Sequence, residues 1–230
     1  MLDFPFSFTN TAQADAVLDG PFGKKLMDYM PAKGWVGLGF MEQGYRSISN
    51  SKRPINKLED IKGLKIRTIL NPLYVDMFNT LGANAVPMPF PELYTAMEMK
   101  TVDGQENPET TVDASKFYEV QKYFTEVNYQ FHPDPFYVNA AWWNGLPEEY
   151  RDIITECATK MGEYNDELID KNSSAAKQTI VDSGCEVYEP SADELKAFQT
   201  AVQSVYDQCV TEGICTADEI KEMQDIVAKA

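Results

Sequence analysis

The chain has 230 residues, of which 43% are hydrophobic, and it carries 36 acidic against 20 basic residues for a net charge of −16. This length allows one large or two small domains with a substantial core. The acidity argues against nucleic-acid binding and against docking on anionic lipid, because basic surfaces recognise both partners. No apolar run approaches the roughly 20 residues that a membrane span needs.

Two helices and a strand are predicted before the first candidate ligand residue. Asn10 is a good N-cap for a helix over residues 11–18, and Pro21 suits the first turn of a second helix that extends to about residue 30. Residues 35–41 have the pattern of a strand. Arg46 follows the glycine at position 44, close to the point where we expect the chain to cross between two lobes.

Residues 63–108 predict a strand–helix–strand–helix–strand unit and therefore a parallel sheet. The first strand ends near Arg67, and Asn71-Pro72 then starts a helix. Residues 85–88 form the second strand and 102–108 return the chain to the sheet. In open α/β sheets ligands bind beyond the carboxyl ends of the strands, which is where Arg67 lies.

The second half of the chain is predicted to contain further strands and one long helix. Residues 117–127 indicate two strand pieces, residues 136–141 another strand, and His132 before Pro133 a loop. After the helix start at residues 146–149, the 3–4 spacing of apolar residues continues to about residue 183 without a proline. Such a helix spans roughly 50 Å, which exceeds one small lobe, so it is predicted to bridge two lobes.

The end of the chain predicts a short strand over residues 184–188 and two capped helices. Ser191 with Glu194, and Thr216 with Glu219, have the spacing of capping boxes at the starts of these helices.

The four cysteines and the single histidine exclude the usual zinc sites, because no CxxC spacing is present. Cys209 and Cys215 lie close enough in sequence to form a disulfide across a helix junction, and Cys157 with Cys185 is a weaker pairing; the sequence leaves both open. No GxSxG, HExxH or phosphate-loop motif occurs, so we expect no metal, no cofactor and no hydrolase chemistry.

Several motifs together resemble one family. They are GYR (44–46), GLKIR (63–67), LGAN (81–84), VDGQENP (102–108) and KFYEVQKY (116–123). The chain is similar in these segments to the DctP-like solute-binding proteins of tripartite ATP-independent periplasmic (TRAP) transporters.

The resemblance implies an α/β fold of the two-lobed periplasmic binding protein type, with a hinge and a long lobe-bridging helix. Residues 1–44 and 133–172 would form lobe I, and residues 45–132 and 173–230 lobe II. Family members begin with further strand–helix units, so we expect lobe I to be incomplete here. The first ten residues also lack the basic and apolar regions of a signal peptide.

The family also implies which residues bind the ligand. Arg67 would hold a ligand carboxylate, since a planar guanidinium donates two parallel hydrogen bonds to one carboxylate. Arg46 and Asn107 would assist. On residue type alone, Arg67 and Arg46 could equally form structural ion pairs, and Asn107 could serve its own turn.

Three more residues belong to the predicted ligand set. Phe90 would shape the pocket, although core packing is the commoner role of a phenylalanine. Glu106 would bond a ligand hydroxyl or ammonium. Tyr129 stands where the family commonly has a histidine, and this departure leaves the identity of the ligand open.

The function implied is that of a periplasmic solute-binding protein that captures a small organic acid and delivers it to TRAP membrane subunits. We expect it to be mainly a monomer, with a dimer as the alternative, and to bind no nucleic acid. Two other functions remain open on the sequence: an enzyme acting on a small carboxylate, and a stand-alone carboxylate sensor.

Overall fold

The computed structural model describes all residues 1–230, and six strands form its one sheet. In chain order the strands are β1 Trp35–Asn50, β2 Lys65–Thr68, β3 Asn84–Pro87, β4 Gly104–Asn107, β5 Tyr123–Asn139 and β6 Glu186–Tyr188. The strand order across the sheet is β3-β2-β4-β1-β5-β6. The α/β class predicted from the sequence is confirmed.

Ten α-helices surround the sheet. They are α1 Thr11–Leu18, α2 Pro21–Met27, α3 Pro72–Thr80, α4 Leu93–Glu98, α5 Glu109–Ala114, α6 Ala140–Asn144, α7 Glu148–Asp182, α8 Ala192–Ala201, α9 Gln203–Thr211 and α10 Ala217–Val227. None of them combines the length and the apolar character that a bilayer-spanning helix requires. Helix α2 ends at Met27, earlier than the predicted residue 30, and a short 3₁₀ helix over Met30–Lys33 follows it.

The predicted parallel unit is confirmed: β2 lies between β3 and β4 and is parallel to both. Arg67 pairs with Val86 on one side and with Gln105 on the other. The Asn71 side chain accepts from the backbone N–H of Leu73 and caps α3 as expected. These pairings place Arg67 near the carboxyl ends of three strands, at the edge of the sheet where the polar side chains converge.

Strands β1 and β5 form a long antiparallel ribbon that the sequence did not predict at full length. It runs from the Trp35–Asn139 pair to the Asn50–Tyr123 pair, with three register shifts. His132 therefore lies in a strand, and its prediction as a loop residue was wrong. Its neighbour Pro133 is tolerated because β5 pairs with β6 only near its start and is an edge strand beyond it.

Helix α7 confirms the predicted long helix, with 35 residues and no break. The Asn165 amide donates to the backbone oxygen of Glu42 on β1 at 2.7 Å. Further along, the Lys177 ammonium lies 2.8 Å from the Glu126 carboxylate on β5. The helix is thus attached to both strands of the ribbon at points separated by three turns.

The apolar core is divided into three clusters. One lies between β2, α3 and the α8–α9 region, and includes Ile66 and Phe78. A second joins the first residues of the chain to α10, with Phe4 and Met223 buried in it. The third packs α4 and α5 against β5 and the end of α7, around Phe124.

Both predicted capping boxes are present, at Ser191 and Thr216. All four cysteines are free thiols. The Cys209–Cys215 bridge that the sequence left open is absent, and burial raises the pKa of both thiols. Cys157 is exposed while Cys185 is buried, so the second pairing is absent too.

Candidate functional site

A cavity of about 500 Å³ opens beside β1, β4 and α5. Its lining combines polar side chains with a few apolar ones and consists of Gln43, Arg46, Ile69, Phe90, Asn107, Thr110, Thr111, Ala114, Ser115, His132 and Ile169. Two other hollows, of about 570 and 590 Å³, are larger, but no arginine lines either of them. The cavity therefore brings together three of the predicted ligand residues, Arg46, Phe90 and Asn107.

Arg46 is fully compensated by groups on the neighbouring strand β4. Its Nε donates to Glu106 Oε2 at 2.5 Å, and its Nη2 donates to the Glu106 backbone oxygen at 2.8 Å and to Asn107 Oδ1 at 3.0 Å. The antiparallel register, in which Ile48 pairs with Glu106, brings these residues together. Burial lowers the pKa of the Arg46 guanidinium, but the Glu106 carboxylate more than offsets this, so the pKa lies above its ordinary value.

Tyr129 completes this network from β5. Its hydroxyl donates to the same Glu106 oxygen that Arg46 contacts. Burial raises the pKa of Tyr129 well above its usual value, so the group stays a neutral donor. The other carboxylate oxygen, Glu106 Oε1, is buried without a hydrogen-bond partner. Glu106 and Tyr129 thus hold Arg46 in place, and neither lines the cavity itself.

Arg67 has no acidic partner. Its Nε and Nη2 both donate to the Met88 backbone oxygen, at 2.9 and 2.7 Å, and its Nη1 is buried with no hydrogen bond. Burial lowers the pKa of the Arg67 guanidinium, and the Glu106 carboxylate partly offsets this effect. A guanidinium retains its charge even when buried, so Arg67 carries an uncompensated positive charge.

Arg67 does not itself line the cavity, but its neighbour Phe90 does. The Arg67 guanidinium carbon lies 5.8 Å from the centre of the Phe90 ring, within the range of a cation–π contact. The Phe90 side chain is 44% exposed, which is unusual for a core phenylalanine, and it lines the cavity. Phe90 is therefore not a simple core residue, which was the alternative left open by the sequence. Its ring also packs against Phe117, with 5.8 Å between the ring centroids.

Asn107 is held on both sides by neighbouring polar groups. Its amide nitrogen donates to Gln105 Oε1 at 2.5 Å, while its oxygen accepts from Arg46. The Gln105 amide in turn donates to the Ser49 hydroxyl at 2.9 Å. This chain of hydrogen bonds fixes the orientation of Asn107 at the cavity wall.

Several lining residues were missed from the sequence, and His132 is the most informative. Burial and the Arg46 charge lower the pKa of His132 to about 3, so its imidazole is neutral at physiological pH. Its Nδ1 is buried and has no partner. If the sequence around Pro133 had been predicted as a strand and not as a loop, the prediction would have placed His132 beside β1. Thr110 on the short α5 and Ser115 immediately after it carried no signal that distinguishes them from solvent-facing residues.

Comparison with known proteins identifies matches along nearly the whole chain. The family model for bacterial extracellular solute-binding protein, family 7 (DctP), matches residues 1–212. Among curated proteins, the 2,3-diketo-L-gulonate-binding periplasmic protein YiaO of Escherichia coli is 34% identical over 227 residues. That alignment covers 98% of this chain and 69% of YiaO.

Two solved structures are similar in both sequence and fold. The sugar acid binding protein DctPAm from Advenella mimigardefordensis, in complex with galactonate, is 39% identical with a TM-score of 0.94. A TRAP periplasmic solute binding protein from Chromohalobacter salexigens, with bound D-glucuronate, is 32% identical with a TM-score of 0.93. The matches cover 99% and 98% of this chain, and 73% and 74% of those proteins.

Proposed function

Because this chain belongs to the bacterial extracellular solute-binding proteins of family 7, the DctP family, we propose that it captures a small organic acid and delivers it to TRAP membrane subunits. The family consists of periplasmic binding proteins of transporters and not of enzymes, so the enzyme alternative is excluded. The chain is accordingly a periplasmic solute-binding protein. Its specific ligand and its membrane partner are the proposed part.

The ligand class that we propose is a sugar acid. The named ligands of the three relatives, diketo-L-gulonate, galactonate and D-glucuronate, are all acids of this kind. A cavity of about 500 Å³ whose lining combines apolar surface with several hydrogen-bonding side chains suits such a ligand. Hydroxyl groups need many neutral hydrogen-bonding partners, and the lining residues are predominantly of that type.

The observation that carries the proposal is the unpartnered Nη1 of the buried Arg67. A buried polar group without a partner is costly, and Arg67 contacts the cavity-lining Phe90, so its free Nη1 supports a ligand group that completes it. A carboxylate supplies both the missing acceptor and the missing negative charge. We assign Arg67 as the carboxylate anchor and Phe90 as the ring that covers it.

The other predicted residues form the remaining wall in this proposal. Arg46 and Asn107 present polar atoms to the cavity, and Glu106 and Tyr129 hold Arg46 in its orientation. This refines the predicted set of six ligand-binding residues into four that face the ligand and two that support them.

We also propose that the ligand is enclosed by closure of two lobes. The predicted division, 1–44 with 133–172 and 45–132 with 173–230, cuts the β1–β5 ribbon and helix α7, so both would bend during closure. Ligand contacts made by both lobes would favour the closed state. We expect the protein to act mainly as a monomer, with a dimer as the alternative.

A thermal-shift and calorimetric screen of the 230-residue chain against organic acids tests the proposal. A ligand that binds only the native state adds about 2.7 kcal/mol of stability at 100 times its Kd. We expect Arg67→Ala to abolish the shift. Arg53→Ala is the matched control, because the Arg53 guanidinium also donates to two backbone oxygens, of Asp60 and Lys62, but lies away from the cavity.

The two outcomes separate the anchor from the function. A shift that survives Arg67→Ala would overturn the assignment of Arg67, and the absence of binding to every acid would overturn organic-acid capture. Binding of the loaded protein to reconstituted TRAP membrane subunits distinguishes a transport protein from a stand-alone sensor, which would not bind them.

A further inference from the structure

Among the fully buried charges near the cavity, one arginine has no acidic partner. Three charged side chains near it are fully buried: Arg46, Arg67 and Glu106. Arg46 and Glu106 cancel each other through their 2.5 Å salt bridge. Arg67 makes its hydrogen bonds to a backbone oxygen, which carries no net charge. One cation is therefore left for a ligand to neutralise.

The remaining polar groups of the lining are neutral. They are the amides of Gln43 and Asn107, the hydroxyls of Thr110, Thr111 and Ser115, and the imidazole of His132. Burial, together with the charge of Arg46, keeps the pKa of His132 near 3, so the imidazole supplies no second cation at neutral pH. Groups of this kind pair with hydroxyls and carbonyls and do not offset the charge of a carboxylate.

An acidic group near the cavity disfavours a second negative charge. Asp134, which is half exposed, accepts a hydrogen bond from Gln43 and lies 3.6 Å from His132, and both of these partners line the cavity. Like-charge juxtaposition is unfavourable in a partly desolvated site, whereas a ligand hydroxyl can donate to a carboxylate.

We infer that the site selects hydroxylated monocarboxylates over dicarboxylates, and that Glu106 sets this selectivity by cancelling the charge of Arg46. The inference rests on the proposed function, since it specifies the ligand of the same site. Without the carboxylate of Glu106, the site would present two free cations and would suit a dianion. Glu106 is thus a specificity-determining residue that acts through Arg46.

The test on the unmodified chain compares D-galactonate with D-galactarate by isothermal titration calorimetry at pH 7.5. The two acids share their six-carbon chain and the configuration of their secondary hydroxyls, and they differ only at the sixth carbon, which is a hydroxymethyl group in galactonate and a carboxylate in galactarate. We expect galactonate to bind at least about 10-fold more tightly, because the second carboxylate meets no free cation.

Equal or tighter binding of galactarate would overturn the selectivity and leave the proposed function standing. If neither acid binds and no other carboxylate in the screen binds, the proposed function fails first, and the inference fails with it. The two failures are therefore distinguishable in one set of titrations, without any variant.

A second measurement assigns the selectivity to Glu106. In Glu106→Gln we expect the preference for galactonate to fall by about 10-fold or to reverse, because Arg46 then carries a free charge. The control is Glu126→Gln, which removes another buried carboxylate that pairs with Lys177 outside the cavity, and it should leave the preference unchanged. An unchanged preference in folded Glu106→Gln would overturn the role of Glu106, and if this variant does not fold, the galactarate comparison still decides the selectivity.

Discussion

The two buried arginines of the sheet, Arg46 and Arg67, differ in what their guanidinium groups contact. Arg46 lies in a closed network with Glu106, Asn107 and Tyr129, in which its charge is matched by a carboxylate. Arg67 bonds only the Met88 carbonyl and leaves one nitrogen unpartnered. A buried arginine paired with a carboxylate contributes to the folded structure. A buried arginine without such a partner is available to bind an anionic ligand.

The largest expected effect is a loss of stability on replacing Arg46, the arginine that is paired with a carboxylate. Arg46→Ala should lower the free energy of unfolding by about 3–5 kcal/mol, because it leaves the Glu106 carboxylate buried without its cation. Urea unfolding measures this effect, with Arg53→Ala as the surface control. The double variant Arg46→Met with Glu106→Leu should recover most of the loss, and a double variant no more stable than Arg46→Ala would contradict the pairing.

Arg67 should show the opposite division between binding and stability. Arg67→Ala is expected to weaken sugar-acid binding by about 2–5 kcal/mol, since it removes a desolvated charge partner of the carboxylate. The ligand-free variant should lose less stability than Arg46→Ala, because no buried anion is left unpaired. Calorimetric titration and urea unfolding of the same samples measure both quantities, and a larger stability loss than in Arg46→Ala would break the comparison.

Glu42 on β1 is a buried carboxyl group without an ion-pair partner, so it allows the same comparison of paired and unpaired charges for an acidic residue. Its Oε1 has no partner, and burial, followed by the charges of Asp166, Asp170 and Asp15, raises its pKa from 4.5 to about 7. A carboxyl with a raised folded-state pKa destabilises the fold as the pH rises from about 4.5 to about 7. Glu42 therefore relieves its unpaired charge by taking up a proton.

Glu42→Gln should accordingly raise stability at pH 8, by on the order of 2 kcal/mol, and change it little at pH 4. Unfolding experiments across this pH range check the sign. Glu167→Gln is the control, because it removes an exposed carboxylate from the part of α7 that contacts Glu42 through Asn165. Stabilisation of equal size at pH 4 would show that the charge of Glu42 is not the cause.

The smallest expected effect comes from the hydroxyl of Tyr129. Tyr129→Phe removes one donor from Glu106 and keeps the ring, so it should cost about 1.5 kcal/mol of stability. The measurement is again urea unfolding, with Tyr164→Phe on the exposed face of α7 as the control. A loss as large as that of Arg46→Ala would mean that Tyr129, and not Arg46, is the main partner of Glu106.

Much of the fold followed from local patterns in the sequence. Residues 63–108 were predicted as alternating strands and helices because Asn71, Pro72 and Gly82 mark where the elements begin and end. The β1–β5 ribbon was predicted only in pieces, since Pro133 and Pro135 resemble loop residues. Their acceptance in a strand depends on β5 being an edge strand, which is a property of the assembled sheet.

The sequence predicted several residues of the candidate site, but it did not predict the contacts between them. The family motifs pointed to Arg46, Arg67 and Asn107. The pairing of Arg46 with Glu106 depends on the antiparallel register of β1 and β4, which local patterns do not specify. The same register decides which arginine keeps a free charge, so the difference between the two arginines became visible only in the structure.

A crystal structure of the chain with D-galactonate tests the central claim most directly, namely that the unsatisfied Arg67 is the carboxylate anchor. We predict a ligand carboxylate oxygen within about 3.2 Å of Arg67 Nη1, with the Arg46–Glu106 salt bridge unchanged. A carboxylate bound instead to an Arg46 released from Glu106, with Arg67 Nη1 still unpartnered, would contradict the account.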